Sequence, residues 1–452
     1  MEGVVSVFPS KTLKLHTTRS WDFMGFHEKA QEANSAAESD IIIGAFDTGI
    51  WPESESFNDK GFGPIPKKWK GECAGGKNFT CNKKIIGARY YGENLTMKYR
   101  SARDDNGHGS YTASTAAGNK VRDVSFYGVA RGTARGGAPF ARIAVYKVCN
   151  PNCNDANILA AYDDAIADGV DIIKISVGAL LPLDFIDDSI AIGSFHAMAK
   201  GILTINSAGN EGPERGSVTS IAPWLLSVTA STIDRRFIDK VSLGDGRTIV
   251  GPSINGFTSN GKKSPLIDGV KASLPGCDYP EYCYANCLDA KKLKGKILLC
   301  ADKSGISKSF FHGASGYIVL GEDIVINIDP LPSSYVGHKV FHLLQSYENS
   351  TKNPQAEILK SETIKDINAP LVASFTSCGP NEKVPEIMKP DISAPGVNIL
   401  AAYAPISPPS GLGGDKRLPN YNIISGTSIS CPHVAGVAAY VKSLQQPLNL
   451  LS

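Results

Sequence analysis

The fold is decided by the stretch from Ile143-Ala-Val-Tyr-Lys-Val148 to Ile202-Leu-Thr-Ile-Asn-Ser207. Between these lie Asp155-Ala-Asn-Ile-Leu-Ala-Ala-Tyr-Asp-Asp-Ala-Ile-Ala-Asp168, closed by Gly169, then Val170-Asp-Ile-Ile-Lys-Ile-Ser-Val177 and a run from Asp187 to Lys200 closed by Gly201. The short apolar runs are too brief for typical helices and read as strands buried on both faces, while the longer runs between them read as helices stopped by glycine. Strands alternating with helices of this length imply right-handed crossovers and a doubly wound parallel sheet, an α/β fold. In such a sheet the reactive groups collect at the carboxyl ends of the strands. Upstream, Ile41-Ile-Ile-Gly-Ala-Phe-Asp47-Thr-Gly49 is another buried strand that delivers Asp47 at its C-terminal edge. The run Ile202–Ser207 leads into Ala208-Gly209-Asn210, which carries an amide on a tight turn.

Two further stretches bring the remaining chemistry. Asp104-Asp-Asn-Gly-His108-Gly-Ser sets a glycine-flanked histidine at the mouth of a small-residue helix that Gly118 ends. Tyr421-Asn-Ile-Ile-Ser-Gly-Thr-Ser428-Ile-Ser-Cys-Pro432 is a short apolar run followed by a helix start, with Pro432 expected in the first turn, where a missing N–H costs nothing. Ser428 then lies where backbone N–H groups and the helix dipole favour an oxyanion. A lone serine there is an ordinary N-cap. An acid, a histidine and a serine together are what proton transfer from a weak nucleophile requires. Cys431, one helical turn on, is an alternative nucleophile, although packing beneath the helix suits a cysteine there. Asp-Thr-Gly also occurs in aspartic proteases, but these need a second such acid and none is present.

Asp47-Thr-Gly, Gly107-His-Gly-Ser and Gly426-Thr-Ser428-Ile-Ser-Cys-Pro-His-Val-Ala-Gly resemble the three signatures of the subtilisin-like serine proteases, in the same acid, histidine, serine order. Thr17-Thr-Arg-Ser-Trp-Asp-Phe-Met-Gly-Phe, Asp47-Thr-Gly-Ile-Trp-Pro-Glu-Ser and Lys389-Pro-Asp-Ile-Ser-Ala-Pro-Gly are similar to the plant cucumisin-like branch. The resemblance implies a serine endopeptidase that cuts polypeptides through Asp47, His108 and Ser428 by way of an acyl-enzyme. It implies Asn210 and the backbone N–H of Ser428 as oxyanion donors. Ser176-Val177-Gly178 and Ser207-Ala208-Gly209 become the walls of the substrate pocket. It also implies a propeptide remnant at residues 1–16 and a catalytic domain in two parts, 17–254 and 346–452. Between them an inserted β-rich protease-associated (PA) domain at 255–345 is expected, a unit linked to substrate access or self-association. The chain departs from the family pattern in its short propeptide, in Lys174 on a buried strand, in Tyr111 where a second histidine is usual, and in ending before a fibronectin-like domain. Those departures motivate the alternative, a truncated, inactive relative acting as a binding protein or a non-functional product.

With 452 residues, a net charge of +2 and 42% hydrophobic residues, the chain is long enough for two or three domains and lacks the basic excess of a nucleic-acid binder. No apolar run reaches the ~18–20 residues of a membrane span, and no basic-then-apolar signal segment opens the chain. An extracellular location, in the apoplast or cell wall, follows from the resemblance alone. Cys73 and Cys81, Cys149 and Cys153, and the group Cys277, Cys283, Cys287 and Cys300 sit in polar loops as disulfides would, and no pair has zinc-ligand spacing. Cys378 and Cys431 are expected to be unpaired, buried thiols. Asn78-Phe-Thr, Asn94-Leu-Thr and Asn349-Ser-Thr are glycosylation sequons. No cofactor or metal is expected.

Overall fold

The computed structural model describes residues 19–28, 34–92, 100–258, 261–321 and 325–445. The propeptide remnant and Asn94 lie outside them. At the centre is a seven-stranded, wholly parallel sheet: β1 (Ile42–Asp47), β2 (Ile85–Tyr90), β3 (Arg142–Lys147), β4 (Ile172–Ile175), β5 (Leu203–Ser207), β6 (Leu226–Ser231) and β7 (Ile392–Pro395), in the order β7-β6-β5-β4-β1-β3-β2. The order reverses around β1, so the crevice of this doubly wound sheet opens at the carboxyl end of the strand that carries Asp47.

Alternation along each strand sorts side chains to two cores. Ile43, Ala45, Ile143 and Val145 pack with Ala113 and Ala116 of helix α1 (His108–Ala117) and with Cys431 and Ala435 of helix α4 (Thr427–Gln445). The neighbours in register, Ile42, Phe46, Ala144 and Tyr146, pack with Ile158 and Tyr162 of α2 (Asp155–Asp168) and with Ile190 and Ala191 of α3 (Ser189–Ala199). A sheet covered on both faces explains why its strands read as continuous apolar runs. Helix α2 has the expected bounds and ends on Gly169, whose φ of 84° suits glycine. Helix α3 is shorter than the expected 187–200, because Asp188 leaves the helix to cap it, accepting from the Ile190 N–H. Strand β4 stops at Ile175, two residues short of the apolar run, where Ser176 turns toward α4.

Past β6 the chain builds a second sheet of eight strands running from Arg235–Leu243 to Glu362–Lys365. Four of them, Ser264–Asp268, Ile297–Cys300, Gly316–Leu320 and Ser333–Val336, pair in parallel, and the rest of the ladder is antiparallel. Disulfides Cys277–Cys287 and Cys283–Cys300 lie in this part, and Cys73–Cys81 and Cys149–Cys153 in the first. Cys431 is a free, buried thiol as expected. Cys378, also free, is only half-buried, since its segment runs along the surface beside the Asn210 turn.

Candidate active site

Strand β1 ends at Asp47, which is buried. Its Oδ1 accepts from the Thr48 N–H at 2.9 Å and from His108 Nδ1 at 2.6 Å. Burial alone would raise the Asp47 carboxyl, but the neighbouring charges of His108 and Lys174, with their hydrogen bonds, hold it well below the usual carboxylate range. The acid is therefore an anion and Nδ1 carries the proton, so that Nε2 is the basic nitrogen whenever the ring is neutral. Burial pulls His108 down, but the charge of Asp47, its hydrogen bond to the ring and the charge of Asp104 together outweigh this, so the ring sits above its ordinary value. His108 keeps 29% of its side chain exposed.

The close approach of the two segments depends on glycine. A Cβ on Gly109 would fall 2.1 Å from the Gly49 carbonyl oxygen, and Gly49 itself, at φ 107°, lies against the Ala102 carbonyl. Thr48 Oγ1 accepts from the Gly109 N–H at 2.8 Å and donates to Asp104 Oδ1 at 2.8 Å. Asp104 also accepts from the N–H groups of Gly107 and Ser110 and from the Ser110 hydroxyl, so it organises the whole His108 turn. Asp104 was not evident as a functional residue from its local sequence. Its signal was an acid four residues before a helical histidine, in a loop rich in donors. Tyr111 replaces the expected histidine as a strut: its hydroxyl donates to the Ile399 carbonyl and accepts from the Ile424 N–H at 3.2 Å.

Ser428 is the second residue of α4. Pro432 lies inside this helix rather than in its first turn, a correction with a consequence. A proline there leaves the carbonyl four residues earlier, that of Ser428, without its helical N–H donor. Ser176 Oγ takes the place of that donor, reaching the Ser428 carbonyl at 3.0 Å. In return the Ser428 hydroxyl donates to the Ser176 carbonyl at 3.3 Å, and this, not a contact with His108, is its hydrogen bond among the described residues. Cys431 is no rival nucleophile: its thiol lies buried against the carbonyls of Ile175 and Ile205, and burial pushes it up to about 11.

Asn210 stands exposed at the end of β5, on a turn braced from 375–377. There the Ser377 N–H donates to the Gly209 carbonyl, the Glu211 N–H to Ser377 Oγ, and the Gly212 N–H to the Phe375 carbonyl. Its Oδ1 accepts from both the N–H and the hydroxyl of Thr427 at 2.9 Å, which fixes the amide and leaves Nδ2 as the donor. A Cβ built on Gly426 would lie 3.8 Å from Asn210 Nδ2 and 3.8 Å from the Ser428 N–H nitrogen, so the two donors converge on one hollow. Of the expected pocket walls, Val177 and Gly178 follow β4, while Ser207 ends β5 and Ala208 and Gly209 follow it. Between them sits Thr219, unnoticed in the sequence, with Oγ1 3.2 Å from a Cβ placed on Gly178 and 3.4 Å from one on Gly209. Ser176 is a tether to Ser428 as much as a wall.

Lys174 is the departure noted on a buried strand. It is buried but paired, with Nζ 2.8 Å from Asp47 Oδ2. The carboxylate's partners are thus a histidine and a lysine rather than a second acid, which removes the aspartic-protease alternative.

The arrangement defines a class: a doubly wound α/β protein that gathers an acid, a histidine and a serine at the carboxyl edge of its sheet. The sequence profile of the subtilase family matches residues 38–449, and the chain belongs to that family. It is 56% identical over 451 residues to the subtilisin-like protease SBT4.6 of Arabidopsis thaliana, a match spanning 98% of this chain and 61% of that protein. To the subtilisin-like protease SBT4.3 of the same plant it is 53% identical over 449 residues, with the same two shares. The chain thus spans about three-fifths of the length of these relatives. Among solved structures, Sphericase matches with a TM-score of 0.43 at 17% identity, over 91% of this chain and 79% of that one.

Proposed function

We propose that this chain is a serine endopeptidase acting on polypeptides through Asp47, His108 and Ser428. The observation that carries the reading is the 2.6 Å bond from His108 Nδ1 to an ionised Asp47, which leaves Nε2 as a base at the edge where Ser428 stands. In the reaction the Ser428 hydroxyl leaves the Ser176 carbonyl and gives its proton to His108 Nε2 as Oγ bonds to the peptide carbonyl carbon. The carbonyl π electrons move to oxygen, and this oxyanion accepts from Asn210 Nδ2 and the Ser428 N–H. His108 then protonates the departing amine as the C–N bond breaks, leaving an acyl-enzyme, and a water activated by the same nitrogen hydrolyses it. An extended substrate would lie between Val177-Gly178 and Ala208-Gly209 as an added strand. The insertion at 255–345, between the catalytic parts 17–254 and 346–452, is read as a protease-associated unit suited to substrate access or self-association; the second sheet extends beyond it through Arg235–Leu243 and Glu362–Lys365. Exposed Asn78 and Asn349, with the four disulfides, favour an extracellular setting.

One observation favours a second reading, a binding protein without turnover: the serine hydroxyl rests on a backbone carbonyl instead of on His108. Labelling with a fluorophosphonate probe separates the two. Modification mapped to Ser428, absent in Ser428→Ala, is the expected result. A folded chain that stays unlabelled under conditions where a control serine protease reacts would overturn the hydrolase reading.

A further inference from the structure

Strand β4 lies beside β1 with Lys174 opposite Ala45, and this register directs the fully buried Lys174 side chain at the end of β1. Its Nζ is 2.8 Å from Asp47 Oδ2 and donates as well to Thr112 Oγ1, which itself reaches the same carboxylate oxygen at 2.8 Å. The two oxygens of Asp47 are therefore divided: Oδ1 serves His108 and the Thr48 N–H, and Oδ2 serves Lys174 and Thr112. We propose that Lys174 is a positioning residue of the acid–histidine pair, which locks the carboxylate by claiming Oδ2 and moves the working range of His108 toward lower pH. This rests on the reading of His108 as general base and adds a cation to it.

Charge balance around the buried Asp47 carboxylate sets the direction of the effect. An ion pair of Asp47 with protonated His108 alone would be neutral. With Lys174 present, Asp47 is already balanced, and a proton on His108 leaves the buried cluster one charge positive. In low dielectric that excess is costly, so Lys174 opposes protonation of the ring while Asp47 favours it. The other groups around His108 do not supply the same charge. Asp104, from the preceding loop, favours the protonated ring. Lys147 of β3 is buried but paired with Asp105 and the Arg103 carbonyl. Cys431 of α4 stays a thiol, and Tyr403 presents its ring to Gly107.

The test follows the His108 ring by NMR titration in a Ser428→Ala background, which prevents self-digestion, with Lys174 intact or changed to Met or Gln. The pH profile of kcat/KM is measured in parallel with Ser428 present. Both neutral substitutions are expected to move the ring's titration to higher pH. At a fixed pH on the acid limb kcat/KM should fall by about tenfold, a loss that vanishes on the alkaline plateau. A uniform loss at every pH with an unmoved ring would show that Lys174 only fills space, and would overturn the proposal. If neither variant folds, the unsubstituted lysine decides. A slowly exchanging lysine ammonium whose signal moves as His108 titrates is required, and its absence refutes the idea. A ring that titrates as expected in a chain that hydrolyses nothing would remove the hydrolase reading and leave the role of Lys174 standing.

Discussion

A single amide shows how finely this site is set. Asn210 is held by two bonds from Thr427 to its carbonyl oxygen, so its N–H groups point toward the hollow beside Gly426. Asn210→Ala is expected to lower kcat by ~10²–10³ with little change in KM, because the lost bond forms mainly to the oxyanion. Gly426→Ala should lose activity for a different reason, by placing a methyl in the hollow, and steady-state kinetics with a small amide substrate would read both. Asp47, His108, Asn210 and Ser428 were legible in the sequence as candidates because each stands in a short motif with its own glycine turn. The fate of Lys174 was not, since pairing with a carboxylate 127 residues away is a property of strand order, and local sequence shows only that a lysine interrupts an apolar run. Thr219 escaped for the same reason.

At the level of elements, α4 is the instructive case. Its start is visible in Ser425-Gly426-Thr427, but the polar pattern alone does not separate an N-terminal role for Pro432 from an interior one. The interior position frees the Ser428 carbonyl for Ser176. Pro432→Ala would restore the helical N–H, so Ser176→Ala should cost about 1 kcal/mol in the parent and distinctly less in the Pro432→Ala chain. A double-mutant cycle by urea unfolding measures the coupling, and equal costs in both chains would deny the link. His433, on the same helix, is buried between the Ile429 carbonyl and Ser20 Oγ, and burial lowers it from 6.5 to about 4. The unfolded chain takes up the proton near 6.5 and the folded chain only near 4. Stability is therefore lost as pH falls through that window, by about 3 kcal/mol in all. His433→Gln should flatten the unfolding midpoint between those pH values relative to the parent.

On the scale of the whole molecule, the alternation of strand and helix from 143 to 207 was enough to predict the parallel sheet, whereas the second sheet was legible only as a change of texture. Its strands are short, and its pairing joins Arg235–Leu243 to strands more than a hundred residues on, which no local pattern signals. Both of its disulfides are internal to it, and Cys283–Cys300 closes a loop of 17 residues, a constraint of about 3 kcal/mol. Reduction should raise amide exchange across 264–336 well before it does so in β1, β4 and β5, and mass-spectrometric exchange would show a uniform rise if the two sheets melted together. The strand bearing the acid and the helix bearing the histidine are translated early, but the helix bearing the nucleophile follows both sheets and must then thread its small residues against β5 and β6. A growing chain therefore carries a base with nothing to activate. For a protein of the proposed kind, this postpones any danger to itself, and to the machinery making it, until synthesis has reached the helix that bears Ser428.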